Sequence, residues 1–251
     1  MEGAPARIDM HFHLEAASNA EEVARVAHEQ GTGILAVSVT PEGYERTVEA
    51  AASAPNVACA VGLHPWWVEG TAADERRLDR FEEMLGGTRF VGEVGLDFSR
   101  KREKTREAQI RAFERIAAAC GRAGGKVLSI HAVRAAGEVL DVLERAGCLE
   151  SCACVFHWFS GTSDELTRAR RLGCFFSVGE PMLATRKGRE YSRAVERDRL
   201  LAETDLPTAW GEPFDASLQA GSLARVEQLF EEIRGERMGE ALLANALALL
   251  G

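Results

Sequence analysis

The 251 residues read as an α/β protein and, within that class, as a closed TIM (β/α)8 barrel. Three observations predict it. Eight short apolar runs, rich in β-branched and aromatic residues, recur about every 30 residues with helical periodicity between them. The length matches the roughly 250 residues typical of such a barrel. Histidines or carboxylates stand at the ends of five of the eight runs, and only a closed ring brings those ends to one opening.

Taken in order, the first run is Arg7–Met10. A helix follows in which Val23, Val26 and Ala27 share a face, with Asn19 as its N-cap and Gly31 at its end. The second and third runs are Ile34–Val39 and Val57–Leu63, and the helix after them carries Leu78, Phe81 and Leu85. The fourth is Arg89–Val94, followed by a helix with Ile110, Phe113, Ala117 and Cys120 on one face. The fifth to eighth are Lys126–Ile130, Cys152–Phe156, Cys174–Val178 and Leu200–Glu203, and Leu223, Val226, Phe230 and Ile233 mark a last helix. Near-continuous apolar strands alternating with helices imply a parallel sheet with right-handed crossovers. An open doubly wound sheet is the other architecture of this size, and the polar residues favour the closed one.

Apolar residues make up 46% of the chain in a single composition regime, so one domain spanning 1–251 is expected. The net charge of −9 counts against a broad basic surface gripping duplex DNA. Any work on nucleic acid then falls to a local site, with metal ions supplying positive charge. The first ten residues lack the apolar core of a signal peptide, and no apolar stretch reaches the roughly 18 residues that span a membrane. A cytoplasmic protein without membrane contact is expected. Six cysteines in such a chain read as thiols. Cys148, Cys152 and Cys154 invite a zinc reading, but Cys152 and Cys154 have the opposite strand parity to His157 and should face the helices.

The chemistry sits at the run ends. His11 and His13 are two apart, so both leave one face of an extended strand and can converge on one divalent cation. The fourth run carries Glu93 near its end, with Asp97 just beyond it, and His131 follows the fifth, His157 the sixth and Asp205 the eighth. Asp9 and Asp97 are candidates to orient ligand histidines. Nitrogen and oxygen donors together suit Zn, Mn or Co. Two basic segments, Arg100, Lys101, Arg102, Lys104 and Arg106 after the fourth run and Arg186, Lys187 and Arg189 after the seventh, either guide phosphates or are solvated helix starts paired with Glu103, Glu107 and Glu190.

In order, the segments IDMHFHL, VGLHPW, VGEVGLDF, VLSIHA, FHWFSGT and LLAETDLP resemble the TatD family of metal-dependent deoxyribonucleases, within the amidohydrolase-like barrels. The resemblance runs from Ile8 to Pro207, and the tail around Asn245 also fits. It implies two divalent metal ions (Zn, Mn or Mg): His11 and His13 on the first, His131 and His157 on the second, and Glu93 bridging them. Asp205 would bind the first metal or its water and serve with Glu93 as a catalytic carboxylate. His64 would contact phosphate. The implied reaction is phosphodiester hydrolysis of DNA, single-stranded or at chain ends, by a metal-activated water with Asp205 as general base.

The chain departs from the family in three places. Trp66 stands where many members have a second histidine, followed by Trp67. Val133 stands where many have an arginine, which leaves Arg134, one residue on, as the candidate phosphate contact. The basic segment expected after the eighth strand is replaced by residues including Trp210, Glu212 and Asp215. The words HWFSGT, CFFSVG and SIHAVRA resemble the TatD-like subunit of the Qat anti-phage defence system, which implies other Qat proteins as partners; a housekeeping exonuclease is the rival setting. Two other functions stay open: a metal-dependent amidohydrolase or esterase acting on a small amide, ester or lactone, and a non-catalytic scaffold subunit of a defence complex.

Overall fold

A computed structural model describes residues 5–251. Residues 1–4, part of the ten-residue segment in which no signal peptide is expected, lie outside them. The strands are β1 (Arg7–Phe12), β2 (Thr32–Val37), β3 (Val57–Ala60), β4 (Phe90–Asp97), β5 (Val127–Val133), β6 (Ala153–His157), β7 (Phe175–Val178) and β8 (Leu200–Ala202). The helices are α1 (Ala20–Glu29), α2 (Pro41–Ala50), α3 (Ala72–Leu85), α4 (Arg106–Ala123), α5 (Ala136–Arg145), α6 (Cys148–Ser151), α7 (Ser163–Arg171), α8 (Glu180–Leu183), α9 (Arg186–Ala194), α10 (Ser217–Arg234) and α11 (Gly239–Leu250). All eight expected strands are present, each followed by helix. No helix among the described residues is long and apolar enough to cross a membrane.

The chain forms two compact units, one of residues 5–37, 45–59 and 176–251, the other of residues 38–44 and 60–175. In the first, β1, β2 and β3 lie side by side and β7 pairs with β8 in parallel. The β1–β2 register runs Arg7↔Thr32, Ile8↔Gly33 and Asp9↔Ile34, then shifts before Phe12↔Ala36. The shift falls across Met10 and His11. One core cluster gathers Phe12, Leu14, Val23, Ala27, Ile34 and Ala36, which joins α1 to the strands on its apolar face. Asn19 is the N-cap of α1 by position, but its side chain makes no capping bond. It spans the chain instead, donating to the Phe214 carbonyl at 3.1 Å and accepting from the Phe214 amide at 2.8 Å.

In the second unit β4, β5 and β6 pair in parallel. Both faces of these strands are buried, as in a parallel sheet covered on its two sides: every residue of β4 after Phe90 is buried. The β4–β5 register shifts between Val91 and Val94, where Gly92 and Glu93 lie. α4 packs on β4 and buries Phe113, Ile116, Ala117 and Cys120. α3 and α7 each begin with a capping box, Thr71 with Asp74 and Thr162 with Glu165, which satisfies amides that a helix start leaves open.

Several strand ends differ from the sequence expectation. β2 stops at Val37 because the Ser38 amide donates to Gly92 (2.8 Å) and its carbonyl accepts from Glu93 (3.0 Å). β4 and β5 run on to Asp97 and Val133 because Gly95↔His131, Leu96↔Ala132 and Asp97↔Val133 continue the ladder past the register shift.

Two helical glycines give a matched test. A Cβ on Gly121 in α4 would stand 1.9 Å from the Ala146 carbonyl oxygen, whereas one on Gly221 in α10 would meet nothing within 4 Å. Both gain helix propensity as alanine, about 0.5–1 kcal/mol. Thermal unfolding of Gly221→Ala should therefore move upward, and that of Gly121→Ala downward by more than about 2 kcal/mol. Equal shifts would mean the α4 contact is not as close as described.

Candidate metal centres

The first unit holds a trio of donors. His11 Nε2 and His13 Nε2 are 3.3 Å apart, and Asp205 Oδ1 lies 3.6 Å from the first and 3.3 Å from the second. The backbone sets the trio: the Asp205 amide donates to the His11 carbonyl at 3.0 Å, and the His13 amide to the Leu206 carbonyl at 2.7 Å. Asp205 has φ +58, a left-handed conformation that aspartate tolerates better than most residues, and it swings the carboxylate back to the imidazoles. His11 is fully buried, while the Asp205 side chain keeps about a quarter of its surface, 26%, open to solvent.

Asp9 supports this trio from below. It is fully buried and accepts from the His11 amide (3.2 Å), the Thr204 amide (3.0 Å), the Thr204 hydroxyl (2.6 Å) and the Gln219 side-chain amide (2.9 Å). Burial pushes its pKa up to about 7, against the lowering effect of these four donors. Gln219 was not singled out in the sequence. Its signal is a polar residue four before Leu223 in α10, on the face that otherwise carries only apolar side chains.

The second unit holds a cluster centred on Glu93, which is buried at 2% exposure. Its Oε1 lies 2.8 Å from His131 Nδ1, 2.9 Å from His157 Nε2 and 3.2 Å from His64 Nε2. The two ring nitrogens of His131 and His157 are 3.3 Å apart. His131 Nε2 turns the other way, to Asp97 Oδ2 at 3.5 Å. Burial of Asp97 opposes its ionisation, yet hydrogen bonds from His131, Trp66 and Ser99 hold its carboxyl well below the ordinary range. Burial likewise opposes charge on His131, and Asp97 and Glu93 outweigh it, so the imidazole binds a proton more readily than usual.

Glycine makes room for this cluster. A Cβ on Gly62 would stand 2.0 Å from the Ser38 carbonyl oxygen and 2.5 Å from the Glu93 amide. One on Gly95, at φ +139, would stand 2.0 Å from the His131 carbonyl oxygen. The close approach of three backbone segments sets where the Glu93 side chain starts. The Gly92–Glu93 peptide is cis.

The residues fit a divalent cation by their donor chemistry. Metal–donor bonds of about 2.0–2.1 Å place tetrahedral donors roughly 3.3–3.4 Å apart and octahedral ones about 2.9 Å apart. The His11–His13–Asp205 edges of 3.3–3.6 Å follow the first spacing. The Glu93 edges of 2.8–3.2 Å bracket the second, and they also satisfy hydrogen bonds. Three imidazoles against one buried carboxylate form a donor set for a transition metal rather than for calcium.

Of the expected residues, then, His11, His13 and Asp205 come together in one unit, and Glu93, His131 and His157 in the other. His64, expected at phosphate, stands in the Glu93 cluster within ligand distance of it. Arg134 is exposed, with φ +54. Within the basic segment after β4, Arg102 and Arg106 lie over aromatic rings, 5.0 Å from Trp66 and 4.2 Å from Phe98. No cysteine joins a group able to hold a metal among the described residues. Cys148 donates to the Ala117 carbonyl at 3.1 Å and Cys152 to the Cys120 carbonyl at 3.5 Å, while burial pushes the Cys120 thiol up to about 12.

The family profile described as TatD related DNase matches residues 8–251. The chain is 26% identical over 253 residues to the uncharacterized metal-dependent hydrolase YabD of Bacillus subtilis, with 96% of this chain and 97% of that protein covered. It is 30% identical over 200 residues to the 3'-5' ssDNA/RNA exonuclease TatD of Dickeya dadantii, covering 76% of this chain and 73% of that one. Among solved structures, the TatD homolog YJJV of Escherichia coli superposes with a TM-score of 0.82 at 24% identity over 98% of both chains. Eight parallel strands alternating with helices, together with this likeness, make the fold class the (β/α)8 barrel.

Thr204→Val tests the support beneath His11. It keeps the side-chain shape and removes the hydroxyl that donates to Asp9, leaving a buried carboxylate short of one donor. The expected cost is about 1–3 kcal/mol in denaturant unfolding. A variant as stable as the parent would mean that the Asp9 network is not under tension from burial.

Proposed function

We propose that this chain, which belongs to the family of TatD-related DNases, is a metal-dependent hydrolase that cleaves phosphodiester bonds in single-stranded DNA or at DNA ends. The observation that carries the reading is the pair of donor clusters, His11–His13–Asp205 and His64–Glu93–His131 with His157. Each is assigned one divalent cation. The relatives named as nucleases support DNA as substrate over a small amide or ester.

Bound divalent cations supply Lewis acidity and lower the pKa of water to near neutrality. The chain's own part is to hold and place. His11 in β1 and His13 just past its end present Nε2 atoms 3.3 Å apart, and the buried Asp9 fixes the backbone of β1 through the His11 amide. Asp205, partly open to solvent, is the carboxylate able to accept the proton of the attacking water through the oxygen it does not turn to the imidazoles. Glu93 keeps its cluster compact by gathering three imidazoles on one oxygen. Asp97 orients His131 through Nε2, which leaves Nδ1 directed at Glu93. Arg134, exposed just beyond β5, is assigned to phosphate. The setting we assign is cytoplasmic, with anti-phage defence beside other Qat proteins set against chain-end processing; the gene neighbourhood separates the two.

The test uses metal-stripped protein and single-stranded DNA labelled at either end, with Mg, Mn or Zn added separately. Cleavage should require metal and should fall at least about a thousandfold in Glu93→Ala, since a Lewis-acid site is worth several kcal/mol. The order in which products shorten gives polarity. A folded Glu93→Ala protein that cleaves at the parental rate would sink the proposed centre. Calorimetric titration adds a second reading: His13→Ala should lose one equivalent of bound metal and Glu93→Ala the other.

A further inference from the structure

Trp66 is 46% exposed, so covering a core accounts for only half of this large side chain. Yet the indole is held from several sides. Its Nε1–H donates to Asp97 Oδ2 at 2.6 Å, the same carboxylate oxygen that lies 3.5 Å from His131 Nε2. Its backbone amide donates to His64 Nδ1 at 3.0 Å. The ring stands edge-on to His64 at 5.2 Å and to His131 at 6.4 Å between centroids. Arg102 lies 5.0 Å from the ring centroid and donates to the Trp66 carbonyl at 3.4 Å. The indole is thus fixed in orientation one side chain away from the Glu93 cluster, with the Arg102 guanidinium over the ring and nearly half of the side chain, 46%, still open to solvent.

We infer that Trp66 is a stacking platform for an unpaired nucleobase beside the phosphate to be cleaved, with Arg102 neighbouring the strand's negative charge. Every base has a π-face, so such a platform is tolerant of sequence, and it is available only to a base that is not already stacked in a duplex. Fixing the ring by a hydrogen bond at its nitrogen lowers the ordering cost at binding. The chain's net charge of −9 gives the contact its importance, since the summed charge repels the strand's phosphates. The choice of a nucleobase as ligand rests on the nuclease reading above; the geometry of the platform does not.

The test separates the two by measuring binding without cleavage. With chelator present, fluorescence anisotropy gives Kd for oligothymidylate and for the same backbone carrying abasic residues, using the parent, Trp66→Ala, Trp66→Leu and Trp66→Phe. The parent should prefer the base-bearing strand by about fivefold to a hundredfold, the range of one stacked base. Trp66→Ala should erase that preference while binding the abasic strand as the parent does, and Trp66→Phe should keep most of it. Should Trp66→Ala not fold, Trp66→Leu, which keeps bulk without a ring, takes its place. A parent that binds both strands alike, or an alanine or leucine variant that retains the preference, overturns the proposal. Absence of metal-dependent cleavage with the preference intact would count against the nuclease reading and leave the platform standing.

Discussion

The structure around the second cluster depends on one constraint: Glu93 is a carboxylate taken almost wholly out of water. Removing an ion from solvent costs several kcal/mol even after relaxation, and partners must offset it. Here three imidazoles meet a single carboxylate oxygen. Their convergence dictates the rest. β4 must lose register with β5 at Gly92 and Glu93, Gly62 and Gly95 must lack side chains, and the backbone of Ser38 must leave β2 to bond across to Gly92 and Glu93. A uniform ladder would direct Glu93 by the plain alternation of a strand. The irregularity re-aims it, as bulges beside functional sites commonly do.

The first cluster obeys the same logic with different means. β1 slips against β2 where His11 lies, and Asp9 anchors the slipped backbone through two amides, a hydroxyl and a glutamine. The fold thus departs from regularity at the two strands that carry the donors. Elsewhere in β1 and β4 the pairing is regular.

Most of this was legible in the residues. Eight apolar runs gave eight strands, because parallel strands buried on both faces have no polar alternation to obscure them. His11 and His13 converge as their spacing of two requires, and Glu93, His131 and His157 gather from three neighbouring strands, although β4 and β5 run on past the first two. What was not legible depends on contacts distant in sequence. The end of β2 at Val37 is set by Gly92, more than fifty positions away in the chain. Asn19 looks like a helix cap, yet its amide is taken by Phe214. His64 was read as a phosphate contact from resemblance, but whether it meets phosphate or Glu93 is decided by the 3.2 Å that tertiary packing leaves between them. Trp66 carried only the signal of standing where a histidine was expected, and nothing in its neighbours in sequence announces the bond to Asp97.

The anchored indole also bears on how such a protein would respond to ionic strength. Proteins that hold nucleic acid through lysines and arginines gain much of their affinity from the release of condensed counterions, and they lose it steeply as salt rises. A base resting on Trp66 displaces almost none. An acidic chain that grips by an aromatic face and bound cations would hold its strand with a shallow salt dependence. Added salt would also screen the repulsion between two bodies of like charge, and so speed their encounter.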